Sequence, residues 1–337
     1  MSTVVNVPAF KLRKCLQYLT PLFPKGSLEI PIGVNLSKRV LTITCTTSCY
    51  FQAEINVDTD ETATCTVIYF STIASFLPNE DNIEIEFTPT GMIWSGDSFD
   101  VTLPIGYSTV APVDFSDVKY KEIATDYYQS EMNNLLGMNL DKLYSKVKPI
   151  TIYGDVSVLK YPNTWVQIRS MGLPFQASID PDHVRVLCKF EPKWISADLN
   201  DYITMKNDYA TLRIPCRTKV EDNNFLSIMN NCTECVNVNL DGYLDKLRNA
   251  SKLDPKADCK VSIYESGVKT TIAVRTASMA LSAGNTEGKV LSVVHVPLQV
   301  WITFVKAMGG SNIQILLGGD LLCLRNQSMI IITRAVP

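Results

Sequence analysis

Two histidines, ten cysteines and a few acidic pairs are the residues here that could carry chemistry. His295 lies in the apolar run VLSVVHV and reads as a strand residue. His183 follows Asp180 and Asp182 in ASIDPDH, where the acids suit a turn. Acyl transfer, phosphate cradling and zinc proteolysis each leave a local motif. The chain has no Gly-x-Ser-x-Gly, no phosphate loop and no His-Glu-x-x-His. The glycines of MGGSNIQILLGGD flank strands and have no lysine beside them. Cys232 and Cys235 form one C-x-x-C. Zinc takes four ligands, and no second pair stands at metal spacing. Other cysteines, such as Cys65 in TCTVIYF and Cys323 in LLCL, sit in apolar stretches and suit buried free thiols in a reducing compartment. No enzyme activity, metal or cofactor is expected.

What remains is architecture. At 337 residues the chain is long for one hydrophobic core, and two or three domains are expected. Apolar content of 46% and charged content of 19% are ordinary for a folded protein. No run of 18 or more apolar residues exists, and MSTVVNVPAFKLRKCLQYL lacks the form of a secretion signal. A cytoplasmic protein is expected, and the four Asn-x-Ser/Thr sequons at 35, 231, 249 and 326 then carry no sugar. Net charge is −3. A protein that grips nucleic acid with its whole surface is usually basic, so any such contact must be a local patch.

The elements repeat. SCYFQAEI (48–55) and GLPFQASI (172–179) share Phe-Gln-Ala-x-Ile. VLTITCTTSCYFQAEI (40–55) and WVQIRSMGLPFQASI (165–179) both read as strand, turn, strand, and TIAVRTASMALSAG (271–284) as a weaker third version. NIEIEFTPTGMIWSGDSFDVTLP (82–104) and NIQILLGGDLLCLRNQSMIIITR (312–334) each read as three alternating strands. In the middle copy VRVLCKF reads as a strand and EPKWISADLNDY as the short helix after it. PLQVWITFVKAMGG (297–310) has Pro at a helix start and Gly at its end.

Each copy also opens with an amphipathic helix. Leu12, Leu16 and Leu19 share one face of AFKLRKCLQYLTPLF (9–23). Leu140, Leu143, Tyr144 and Val147 do so in NLDKLYSKV (139–147), and Leu240, Tyr243, Leu244 and Leu247 in NLDGYLDKLRNASK (239–252). The linkers VAPVDFSDV (110–118) and EDNNFLSIM (221–229) rhyme as well. The fold class read from this is α+β, with three copies at 1–116, 117–226 and 227–337, antiparallel sheets, and two helices per copy on one face.

This order of elements resembles the bacterial-type DNA polymerase sliding clamp, the beta clamp, over nearly the whole chain. DFSDV resembles the Glu-Phe-Pro-Asn-Leu segment that ends that family's first domain, and the final strands resemble its closing strands. The loose match in letters points to a virus such as a phage, or another mobile element, as the source. The resemblance implies a homodimeric ring that encircles double-stranded DNA without reading its sequence and acts as a processivity factor. It implies a DNA polymerase and a clamp loader as partners, held through short peptide motifs.

It also implies residue roles. The family lines its hole with the two helices of each copy. Here that points to Lys11, Arg13 and Lys14; to Lys142, Lys146 and Lys148; to Lys246, Arg248 and Lys252; and, on the second helices, to Lys193 and Lys306. A solvated helix face is the other reading of the same residues. Asp241 and Asp245 weaken the third group. The family's peptide groove, between the second and third domains, maps onto Met171, Gly172 and Leu173 of RSMGL. It maps also onto Phe225 and Ile228 of FLSIM, and onto Ile332, Thr333, Arg334, Ala335 and Val336 of IIITRAVP. The family's histidine, its Met-Pro-Met segment and its final leucine are absent here, which implies an altered peptide preference. Two other uses stay open: a clamp-fold tether or decoy for transcription or repair factors, and a duplicated beta-rich structural protein.

Overall fold

β-Branched and aromatic residues alternate with polar ones along most of the chain, and that period builds strands. The structure is a computed structural model that describes residues 2–24, 26–77, 81–97, 99–106, 111–137, 149–154, 156–161, 164–169, 176–196, 201–218, 220, 225–274, 277–309 and 312–334.

The first copy runs β1 (Thr3–Pro8), α1 (Ala9–Gln17), β2 (Glu29–Ser37), β3 (Val40–Thr46), β4 (Tyr50–Asn56), β5 (Ala63–Phe70), α2 (Ile73–Phe76), β6 (Asn82–Thr88), β7 (Gly91–Gly96) and β8 (Phe99–Pro104). The second runs β9 (Tyr120–Glu122), α3 (Thr125–Gly137), β10 (Ile150–Tyr153), β11 (Val156–Tyr161), β12 (Thr164–Arg169), β13 (Gln176–Ile179), α4 (Pro181–Lys189), β14 (Trp194–Ser196), β15 (Tyr202–Lys206) and β16 (Ala210–Pro215). After the linker helix α5 (Phe225–Met229) come β17 (Glu234–Asn239), α6 (Tyr243–Ser251), β18 (Asp258–Val274), β19 (Ala277–Pro297), α7 (Leu298–Ala307), β20 (Asn312–Gly318), β21 (Leu321–Arg325) and β22 (Met329–Arg334).

Packing gathers these into two compact units, Met1–Met132 with Asp182–Thr218, and Asn133–Pro181 with Lys219–Pro337. Each holds one eight-stranded antiparallel sheet. The first has the order β5-β2-β3-β4-β16-β15-β14-β9 and the second β13-β10-β11-β12-β22-β21-β20-β17. The orders match strand for strand. In each, the first half of one copy is zipped to the second half of the next, through Ala210↔Ala53 to Arg213↔Tyr50 in one and Thr164↔Thr333 to Ile168↔Met329 in the other. Two half-sheets are left over: β1-β6-β7-β8 in the first unit and the ribbon β18-β19 in the second. β6 and β20, which open NIEIEF and NIQILL, bury the same alternate positions.

The repeat is real, but the echo that first suggested it is out of step. Phe51, Gln52 and Ala53 lie on β4, fourth in its sheet, whereas Gln176 and Ala177 lie on β13, first in its sheet. The equivalent of β4, fourth in the second sheet, is β12, TWVQIR. The third copy departs further. Its β18 and β19 pair with each other from Asp258↔Pro297 to Val274↔Ala277, with an irregularity between Ile263 and Ser266. A two-stranded ribbon thus stands where the first copy has β5-β2-β3-β4. Gly267 and Gly284 face one another across it. A Cβ on Gly267 would lie 2.2 Å from the Asn285 carbonyl oxygen, and Gly284 has φ +70°. Only glycine fits both positions.

The helices follow apolar spacing. Leu12, Leu16 and Leu19 are fully buried, and α1 stops before Pro21, which cannot continue it. Trp301, Phe304 and Val305 bury the inner face of α7, and Gly309, with φ +76°, follows its end. In the middle copy the helix expected at 139–147 lies outside the described residues; ahead of it stands α3, residues 125–137, with Tyr128 and Met132 buried. One expectation there fails. VRVLCKF is not a strand. Val186 and Leu187 with Phe190 recur at helical spacing behind Pro181, so these residues form α4, and part of EPKWISADLNDY becomes β14. Among the described residues no helix is long and apolar enough to cross a membrane.

Candidate nucleic-acid and partner-peptide surfaces

Cations collect at the ends of two helices in the first unit. Lys11 is exposed and Lys14 half-buried on α1. The end of α4 meets the end of α1 through the Tyr18 and Phe190 rings, 5.0 Å apart, and through the Tyr18 hydroxyl, which donates to Glu191 Oε2 at 3.1 Å. Burial and the nearby Glu191 carboxylate push the Tyr18 hydroxyl pKa up, so it stays a donor. The two helix ends frame a niche of about 360 Å³ whose walls include Lys14, Gln17 and Lys189. Reading that segment as a strand misses Lys189; Pro181, Asp182 and Lys189 are the start and stop signals of a helix. Arg13 is half-buried on the same helix.

Lys193, expected on a helix, lies just before β14. It is paired with Asp208, and its ammonium sits 6.0 Å from the Trp194 ring centre. Its charge is largely met within the chain. In the second unit Lys246 is exposed on α6 and Lys306 on the last turn of α7. Arg248 pairs with Asp245 at 3.3 Å, and Lys252 donates to Asn249 at 3.0 Å. Lys142, Lys146 and Lys148 lie outside the described residues.

The second unit also carries an apolar cluster on one face of its eight-stranded sheet. Strand register builds it: Cys235, Leu316, Cys323, Ile332 and Trp165 form one row across β17, β20, β21, β22 and β12. Val158 and Ile330 stand in the next row, and side chains directly opposite share a face. Helix α5 lies over these rows. Phe225 is 1% exposed against Val158, Cys232, Cys323 and Ile332. Around them Trp165, Ile228, Met229, Leu316, Leu321 and Ile330 are half-buried. The linker can lie so close because β20 ends in Gly318; a Cβ there would meet the Asn231 carbonyl oxygen at 2.0 Å.

The structure therefore brings together Phe225, Ile228 and Ile332. Arg334 stands exposed at the edge, 3.8 Å from Asp320. Thr333 is turned to the other face of β22, where its Oγ1 lies 3.0 Å from Thr164 Oγ1, and it lines no groove on this side. Met171, Gly172, Leu173, Ala335 and Val336 lie outside the described residues. Trp165, Leu316 and Leu321 were missed. Their alternation was visible, but the cross-strand register that aligns them was not.

The matching place in the first unit is polar. There the linker's Phe115 packs on the Arg213 guanidinium at 4.9 Å, and the Val113 N–H donates to Gln52 Oε1 at 2.9 Å. Thr42, Gln52, Glu54 and Thr211 line an open groove of about 830 Å³. The buried thiol of the second place is not a ready nucleophile. Burial pushes the Cys323 thiol up to about 12, so it is protonated at neutral pH.

Solved structures with this arrangement are DNA polymerase III beta clamps. The beta clamp of Helicobacter pylori, bound to a DNA ligase peptide, matches with TM-score 0.74 and 12% identity over 99% of this chain and 100% of its own. The DNA polymerase III subunit beta of Pseudomonas aeruginosa matches with TM-score 0.78 and 12% identity over 99% and 100%. The beta chain of Streptococcus pneumoniae matches with TM-score 0.74 and 10% identity over the whole of both. The fold is that of the beta sliding clamps. No protein-family model and no curated protein sequence matches the chain. The clamp fold is thus held at an identity too low for sequence comparison, by core periodicity and strand order rather than by shared letters.

Proposed function

We propose that this protein is a sliding clamp: two chains close head to tail into a ring around double-stranded DNA and tether a DNA polymerase as its processivity factor. The observation that carries this is the pair of leftover half-sheets. Within the chain each eight-stranded sheet joins halves of successive copies. Among the described residues the half-sheet ending in β8 and the ribbon β18-β19 lack that partner. Each is the half the other would need, and a second copy supplies both joints at once. Two-fold closure satisfies them without leaving an open filament, and it covers sheet edges that are otherwise free to aggregate. The copies are proposed to divide near residues 116 and 226.

Sparse cations suit such a ring. Duplex DNA carries a phosphate every ~1.7 Å of axis, and many tight contacts would hold a protein in place. A closed ring stays on by topology and needs only weak contacts from Lys11, Lys14, Lys189, Lys246 and Lys306. The half-buried apolar rim of that cluster, Ile228, Trp165, Leu316 and Leu321, is proposed as the groove for short peptides of the polymerase and the loader. The Helicobacter clamp bound to a ligase peptide supports this reading. So does Gln167, whose side-chain oxygen is buried in the second row without a donor among the described residues. A clamp of this kind does no chemistry of its own.

The test is topological. Protein is incubated with nicked circular plasmid, separated from free protein at high salt, and the plasmid is then linearised. Retention on the circle and loss on linearisation are expected. Equal loss from both forms at the same salt would contradict encirclement.

A further inference from the structure

Beside the apolar cluster lies a row of a different kind. Asn237, Gln314, Arg325, Ile330 and Gln167 stand opposite one another across β17, β20, β21, β22 and β12. Ile330 belongs to the apolar cluster, so the two surfaces are continuous. Asn237, Gln314 and Arg325 are exposed. With Gln327 they line a niche of about 340 Å³. Among the described residues the niche holds one cation and several neutral amides, and no acidic side chain lines it. Among the described residues Arg325 makes no ion pair, unlike Arg39, Lys193, Arg248 and Arg334. Asn326 is occupied: its Oδ1 accepts the N–H groups of Ser328 and Met329, which fixes the turn that holds Arg325 at the edge of the niche.

We propose that this niche is an acid-recognition subsite for the partner peptide, in which Arg325 takes an Asp or Glu carboxylate and the flanking amides bond the peptide backbone. The inference rests on reading the apolar cluster as a peptide groove. An Arg fork matches a carboxylate in geometry as well as charge, and Asn and Gln amides both donate and accept. The spacing is set by the sheet. From the half-buried Leu316 to Arg325 is one strand across, ~4.8 Å, and two residues along, ~6.7 Å. Two or three residues of extended peptide span that diagonal, at ~3.3 Å each. The favoured peptide therefore carries an aliphatic or aromatic anchor with an acidic residue two or three positions away.

A phage-displayed library of random peptides, selected in parallel on the full-length protein, on Arg325→Ala and on Ile228→Lys, tests this. The wild type should enrich peptides with the anchor and the acid at that spacing. Arg325→Ala should keep the anchor and lose the acid, and individual acidic peptides should bind it about tenfold more weakly. Ile228→Lys should lose both. If the anchor is enriched without an acid, or the acid survives Arg325→Ala, the subsite is overturned and the groove stands. If no anchored peptide is enriched, or Ile228→Lys changes nothing, the groove itself is overturned and the subsite with it. A fall in duplex-DNA retention on Arg325→Ala, with peptide preference unchanged, would reassign the niche to nucleic acid and also overturn the proposal.

Discussion

Single residues decide what each face of the molecule can do. Lys14 and Lys189 are brought together by the ring contact of Tyr18 and Phe190 and share one niche. Replacing both with Gln should lower the slope of log affinity against log salt for duplex DNA by about two, with folding unchanged. Binding titrations over a salt series measure it; an unchanged slope would remove both from the DNA surface. Phe225 has the opposite task. It is 1% exposed and pins α5 to the sheet. Phe225→Ala should cost about 3 kcal/mol in urea unfolding. A loss within ~0.5 kcal/mol, the range of surface changes, would mean that the linker is not anchored there. Thiol accessibility gives a third reading of the same surface. Cys235 is exposed while Cys232 and Cys323 are buried. Iodoacetamide followed by mass spectrometry should modify Cys235 in the native protein and the other two only after unfolding.

At the level of elements, the sequence was most legible where burial is strictly periodic. Leu12, Leu16 and Leu19 mark α1, and the strands from Asn82 and Asn312 alternate without a break. It misled where a short apolar run fits two periods. Val184, Val186 and Cys188 alternate like a strand, yet Val186 and Leu187 with Phe190 also satisfy a helix. The tie is broken by Pro181 and by the packing of the Cys188 thiol and the Tyr128 hydroxyl between α3 and α4. The Phe-Gln-Ala echo misled for a related reason: identical letters on strands of different sheet position carry no register. The ribbon β18-β19 was legible only in part: TIAVRTASMALSAG reads as strand, turn, strand and supplies its paired ends, but its length and strand count depend on pairing over distance. Its crossing glycines make it testable. Gly284→Val places a Cβ within 2.3 Å of the Ser266 carbonyl oxygen at a positive φ. It should destabilise the second unit by about 2 kcal/mol or more and weaken self-association. Urea unfolding and sedimentation of the same sample check both; a variant as stable as wild type would mean that the ribbon does not bend there.

For the whole molecule, sheet edges carry the proposed assembly. Two eight-stranded sheets of identical order fix how one copy joins the next, and that rule leaves β8 and the ribbon unmatched among the described residues. The groove residues were only partly legible at this scale. Phe225, Ile228 and Ile332 converge, yet Thr333 faces away because a strand alternates sides, and no reading of IIITRAVP alone reveals which parity is outward. The half-sheets make the strongest commitment of the account, a particle of twice the chain mass of 37.5 kDa, closed on itself. Negative-stain electron microscopy of the purified protein at micromolar concentration tests that claim most directly. The account predicts two-fold rings with an open centre wide enough for duplex DNA. A field of isolated crescents, or of compact particles without a hole, would contradict it.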